Sequence, residues 1–455
     1  RASLQANTTA SENTAVGQGS LEANTTGADN TAVGHAALGS TTTGADNTAM
    51  GRGALYANTT ASNNTAVGKS ALTANTTGAG NTAVGAIALD AITTTSNNTA
   101  VGHEALTNAT GGSGNTSIGK GTMTADVTGS NNVAVGYTAL AANTTASNNT
   151  AVGYNALVAN TTGASNTALG TETLATNTTA SFNTGVGRGA LQRNTTGAYN
   201  SGYGYISLDH NTTGQYNNGY GYNSLGANTT GSSNTAVGHS ALGTVTTNGN
   251  NTAVGFNALA ESTAEGNTAV GYESLRNNTT GYRNVAMGKE ALKDNTTGDQ
   301  NIAIGNNAME KNTTGANNVA IGFEALDANT TANSNTAVGS VAMSSNTTGT
   351  ANVAFGRSAL ASNTTASNNT AVGYEALTAC TTGVSNTAIG KDALAAQTGA
   401  DNNVGIGRDA GQTLTTGSNN IAIGVEALET ATTADANIAI GRGAAKACTG
   451  GENVY

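Results

Sequence analysis

The chain has 455 residues, enough for about three ordinary globular domains, yet its composition does not supply their cores. Pro and Trp are absent, aromatics make up 4% and charged residues 9%, while Gly reaches 62. A net charge of −10, from 16 Lys and Arg against 26 Asp and Glu, disfavours nucleic acid, whose phosphates need clustered cations. No apolar run approaches the ~18 residues of a membrane-spanning helix. Low charge combined with low hydrophobicity would suggest disorder if the sequence did not repeat.

It repeats throughout. The glycine of Asn-Thr-Ala-Val-Gly falls at Gly17, Gly34, Gly51 and so on to Gly255 at a spacing of seventeen. One spacing of sixteen leads to Gly271, and seventeen resumes from Gly288 to Gly441, giving 26 copies. The consensus is N-T-A-V-G-x-x-A-L-x-x-N-T-T-G-x-x, and columns are named below by their residue in the first full copy. Residues 1–455 thus form one continuous array, which decides the fold before any local reading does.

Taken along each copy, the first element is a short strand. Thr14 and Val16 alternate with Asn13, Ala15 and Gly17, a period of two. The Thr14 column becomes Val or Ile at Val133, Val285, Ile302, Val319, Val353, Val404, Ile421 and Ile438, so the Thr14 and Val16 columns are expected to face inward. Leu21 is a third inward column, Leu or Met except at Gly411 and Ala445. Two or three small apolar groups cannot fold one repeat alone. Stacked copies can, because each backbone then bonds the next at ~4.8 Å. The expected fold is all-β, a parallel β-solenoid or β-roll with one 17-residue repeat per coil, about 26 coils and roughly 125 Å of rise.

Two columns are invariant, Asn13 (with Asn30, Asn47 and their equivalents) and Gly17 (with Gly34, Gly51 and theirs). The glycine follows the strand where alternation breaks, which suits a corner at positive φ. The asparagine suits a stacked amide ladder, each side chain bonding its neighbour one rung along. The Asn24 column tolerates Ile92, Val245, Leu414, Ala431, Cys380 and Cys448, so it is expected at least half buried, either in its own coil or against another chain. The Asn-Thr-Thr sequons there read as by-products of the repeat, since glycans on adjacent rungs would collide.

Chemistry finds little foothold. Three of the four histidines, His35, His103 and His239, share one column far apart, while His210 lies elsewhere. No catalytic set, metal spacing or cofactor motif is present, and the expectation is no enzyme, no cofactor and no metal. Cys380 and Cys448 lie four coils apart, ~19 Å at rung spacing, too far to bridge each other. Column 18 carries Arg1, Arg52, Lys69, Lys120, Arg188, Lys289, Arg357, Lys391, Arg408 and Arg442, and the next column carries acids such as Glu104, Glu290, Asp392 and Asp409. Adjacent cation and acid columns read as a charge zipper, along one chain or between chains. Two successive copies depart together, NSGYGYISL and NNGYGYNSL. Tyr199, Tyr203, Tyr205, Tyr216, Tyr220 and Tyr222 cluster there, either as core in a widened coil, the favoured reading, or as an aromatic platform for a partner such as glycan.

The runs NIAIG (301–305, 437–441), NVAVG (132–136) and NVAIG (318–322) resemble the head repeats of trimeric autotransporter adhesins. NNTAVGYNALVANTTG (148–163) resembles repeats of bacterial and phage tail-fibre-domain proteins. The resemblance covers the whole chain and implies a left-handed parallel β-roll, three chains about one axis, and an extracellular or virion location. The period here is longer than the usual adhesin head repeat, and neither an anchor barrel nor a chaperone domain accompanies it. Both ends fall mid-repeat, so either more chain lies outside or subunits stack end to end. The expected function is a rigid extracellular fibre for attachment or adhesion, self-associating as a homotrimer, with a surface glycan or receptor as further partner. The alternative is a solenoid that binds polysaccharide or ice through Thr and Tyr ranks.

Overall fold

In the computed structural model, which describes residues 2–455, the chain divides into two compact units, Arg1–Gly231 and Ser232–Tyr455. Each unit contains thirteen strands of three residues, β1 (Thr14–Val16) to β13 (Asn218–Tyr220) in the first and β14 (Thr235–Val237) to β26 (Ile438–Ile440) in the second. Every copy of the motif therefore makes one strand. No helix is formed among the described residues. The molecule is a parallel β-solenoid.

The register steps by one repeat. Thr14, Ala15 and Val16 pair with Thr31, Ala32 and Val33. Bonding between coils is not confined to the strands. Leu38 N donates to Ala54 O at 3.1 Å, Thr25 N to Thr42 O at 2.9 Å, and Asp46 N to Ala28 O at 3.1 Å. Coil backbone is thus satisfied on every side by the neighbouring coil, which is how so thin a section avoids orphaned polar groups. The sixteen-residue copy keeps register too, Thr252 pairing with Thr268. It drops the second threonine of the Thr-Thr pair, leaving Ser262-Thr263-Ala264, at the column that stands exposed elsewhere. Loss there removes no core group.

The strand faces opposite to the sequence expectation. In the Ala15 column Ala32, Ala49 and Ala66 are fully buried, whereas the Thr14 and Val16 columns stand on the outer face and Val16 itself is 57% exposed. In a three-residue strand only the centre points inward, and the cavity it meets is already occupied by the Ser20 and Leu21 columns. At Gly185 an added Cβ would lie 2.5 Å from Thr173 Cγ2, so where the Ser20 column carries a threonine the interior has no room even for the alanine methyl. The Val and Ile substitutions in the Thr14 column reflect the preference of a pleated surface for branched side chains, not burial.

The Leu21 column is buried as its composition suggests, with Leu21, Leu38 and Leu55 fully enclosed. The neighbouring Ser20 column, mostly alanine as at Ala37 and Ala54, is equally buried and was not anticipated. Leu38 holds φ 51, a left-handed conformation that costs a leucine about 1–2 kcal/mol, offset here by its burial and its bond to the next coil.

Candidate functional site

Two asparagine columns run through the interior. Asn13 Oδ1 accepts from the backbone N–H of Asn30 at 2.9 Å, and Asn30 Oδ1 from that of Asn47 at 3.0 Å. The principal link in this column joins side chain to backbone, with amide-to-amide contact added at Asn47 Nδ2, 3.0 Å from Asn30 Oδ1. Runs of amide-to-amide contact lie in the Asn24 column instead, as at Asn194 Nδ2 to Asn177 Oδ1, 2.9 Å, and Asn211 Nδ2 to Asn194 Oδ1, 2.8 Å, and end where an apolar residue such as Ile92 or Val245 stands. That column is buried by its own coil, not by a second chain. Both columns converge on one acceptor, since Gly27 O takes Asn13 Nδ2 and Asn24 Nδ2, each at 2.9 Å.

Gly17, Gly34 and Gly51 turn the chain out of the strand. Gly34 holds φ 132, and a Cβ there would lie 2.6 Å from the carbonyl oxygen of Gly51. Conformation and clearance both demand glycine. Cys380 is buried, its Sγ 3.4 Å from Gly383 O, and burial pushes its thiol up to about 11. Both cysteines are free.

Groups able to meet a partner are therefore on the outside. The tyrosines stand there, contrary to the favoured core reading, because the Val16 column that yields Tyr203 and Tyr220 faces outward. Tyr203 is 36% and Tyr216 54% exposed. The coil does not widen to take them. Gly219 instead makes room for Ser207 and Ser224, whose hydroxyls lie 2.9 Å apart inside, and Gly202 lies against Leu191. The rings form three ranks. Phe182, Tyr199 and Tyr216 stack at 5.0 and 5.1 Å between centroids, Tyr203 on Tyr220 at 4.8 Å, and Tyr205 on Tyr222 at 5.6 Å. Arg188 extends the last rank, its guanidinium 5.6 Å from the Tyr205 centroid. Within these ranks the ring faces lie against one another.

The charge zipper runs along the chain. Lys391 lies 3.1 Å from Asp392, and Arg408 lies 3.5 Å from Asp409 and 3.2 Å from Glu426 in the next coil. Lys446 closes on Glu426 at 2.9 Å and holds that carboxyl below its usual range. Arg1, the first cation of column 18, lies outside the described residues. The sequence reading missed a second cation set, Arg276, Lys293 and Lys446 in the Glu22 column, two of which meet Glu273. It also missed a cleft of about 450 Å³ lined by Gln18, Glu22, His35 and Tyr56, opened by the absent side chain of Gly39. Recognition of either needed the coil geometry. The Thr25 column is part-buried, its hydroxyls bonding the next coil as Thr25 Oγ1 does to Thr42 O at 3.0 Å, while the Thr26 column is exposed.

Among the described residues no three His, Cys, Asp or Glu side chains come together as a metal site would require. These features define a β-solenoid repeat protein. No family model matches the chain, and no curated protein matches it.

Proposed function

We propose that this protein is the shaft of an extracellular fibre, without enzymatic activity or cofactor, whose chains associate as a homotrimer for surface attachment or adhesion. The observation that carries the reading is the outer sheet face. Ile302, Ile321, Val353, Phe355, Ile389 and Ile440 stand on it between 37 and 60% exposed, as repeated ranks on a regular backbone. Apolar ranks exposed on a sheet face favour burial against a matching surface, and a repeating coil offers the same pattern to each copy of itself. The repeat resemblance supports three chains and an exterior location. Trimerisation is tested by sedimentation equilibrium and native mass spectrometry. The wild-type chain is expected to be trimeric, and the double variant Ile302→Lys, Ile421→Lys monomeric with an unchanged circular dichroism spectrum. A compact wild-type monomer would contradict the proposal.

A second reading, binding of a polysaccharide, is favoured by the exposed tyrosine ranks. Tyr205→Ala with Tyr222→Ala should weaken binding to a glycan array several-fold on that reading and leave it unchanged on the first.

A further inference from the structure

One coil places an acid in the interior amide columns. Where the Asn24 column is asparagine, the carbonyl of the Gly27 column accepts two side-chain donors; where it is apolar, as at Ile92 or Leu414, the carbonyl keeps one and the Asn24 column buries no polar side chain beside it. Ala61 O takes Asn47 Nδ2 at 2.9 Å and Asn58 Nδ2 at 3.0 Å, and Gly163 O takes Asn149 and Asn160, both at 2.9 Å. Some replacements in the Asn24 column keep a donor. Gln397 Nε2 reaches Ala400 O at 2.7 Å and the Cys380 thiol reaches Gly383 O.

Asp126 occupies this column at 1% exposure. Its Oδ1 accepts from Gly129 N at 2.9 Å and from Asn143 Nδ2 at 3.3 Å. Its Oδ2 is buried with no hydrogen-bond partner. Gly129 O, in turn, has Asn115 Nδ2 at 2.8 Å as its side-chain donor and lacks the second that an amide in the Asn24 column would provide. An orphan oxygen and a half-served carbonyl thus belong to the same three-residue turn. The turn is one donor short, and of the two forms of the side chain only the protonated acid carries a donor.

We propose that Asp126 folds as the neutral acid, its Oδ2–H donating to the Gly129 carbonyl in place of the absent amide, and that its ionisation loosens the surrounding coil, so that this rung of the solenoid opens as pH rises. The groups packed around it are neutral. Ala109 stands at the equivalent position of the preceding coil, Met123 and Gly129 belong to its own, and Asn143 follows. No charged group compensates the burial, which pushes the carboxyl from its ordinary 3.8 to about 7. A folded-state value raised above the unfolded one means that the folded coil holds the proton more tightly. Its stability is therefore complete below about 4 and is lost as pH rises through about 7.

The test is a carboxyl-carbon NMR titration of Asp126 in the full chain, joined to hydrogen exchange of the amides of this coil, corrected for base catalysis. The Asp126 signal should titrate near neutrality. The local opening constant should rise about 100-fold between about pH 5 and about pH 9, as two-state proton linkage requires. Asp126→Asn restores an amide and should leave that opening constant flat. Titration in the ordinary carboxylate range, or the same pH dependence in Asp126→Asn, would overturn the proposal. The wild-type titration decides even if the variant fails to fold.

Discussion

The two units share an interior and differ outside. Residues 1–231 carry six Lys and Arg against nine Asp and Glu, and residues 232–455 carry ten against seventeen. The Thr14 column is Val or Ile once in the first unit, at Val133, and seven times in the second. The first unit holds the three tyrosine ranks, whereas the second holds the ion-pair networks around Lys293 and Lys446. Inside, the Asn13 column, the corner glycine and the buried Ala15 and Leu21 columns carry over from one unit to the other with few exceptions. A coil made from backbone bonds and amide columns leaves its outer face free to vary, and the outer face distinguishes one stretch from another.

The comparison breaks first if the interiors are not equivalent. Gly34→Ala and Gly305→Ala place a Cβ 2.6 and 2.3 Å from the next coil's carbonyl oxygen, at φ 132 and 137. Each should cost at least about 3 kcal/mol in urea denaturation, equally in both units, from combined clash and conformation. A smaller effect follows for Asn301→Ala, which removes the donor to Gly315 O and the acceptor of Asn318 N. Asn318 N is then left unpaired while Gly315 O keeps Asn312 Nδ2, a loss of about 1–3 kcal/mol, and Asn64→Ala in the first unit, where Gly78 O keeps Asn75 Nδ2, should match it.

The outer faces should then separate the units. Loss of the ring pair in the double variant Tyr203→Ala, Tyr220→Ala should lower stability by about 0.5–1.5 kcal/mol with no change in salt dependence. The smallest effect belongs to the second unit's ion pairs. Raising salt from about 0.05 M to about 0.5 M should shift the melting of Lys446→Ala less than that of the wild type, with little change in either, because the pairs are exposed.

The period and the glycine corner were legible in the sequence because the glycine recurs in all 26 copies and its spacing departs from seventeen only once. The strand's inward face was not. A run of three residues carries a period of two in either phase, and a one-residue shift exchanges the faces. The telling column was Ala15, held to Ala, Ser or Gly, yet its small side chains carry less hydrophobic signal than the variable Thr14 and Val16 columns. The tyrosine placement inherited that error, since Tyr203 sits in the Val16 column. The second amide column was visible as a buried position, but its bonding partners depend on the carbonyl three residues on, which only the folded turn brings into reach. Asp126 passed unnoticed for the same reason: one oxygen in place of an amide nitrogen is a small change until its neighbours are placed.

Side-chain-resolved density for the purified chain tests the central claim most directly. The account predicts coils stacked at ~4.8 Å, with residue i above residue i+17, as Thr31 above Thr48, and a single sixteen-residue step between Thr252 and Thr268. Helical segments, or coils that close after another number of residues, would contradict it.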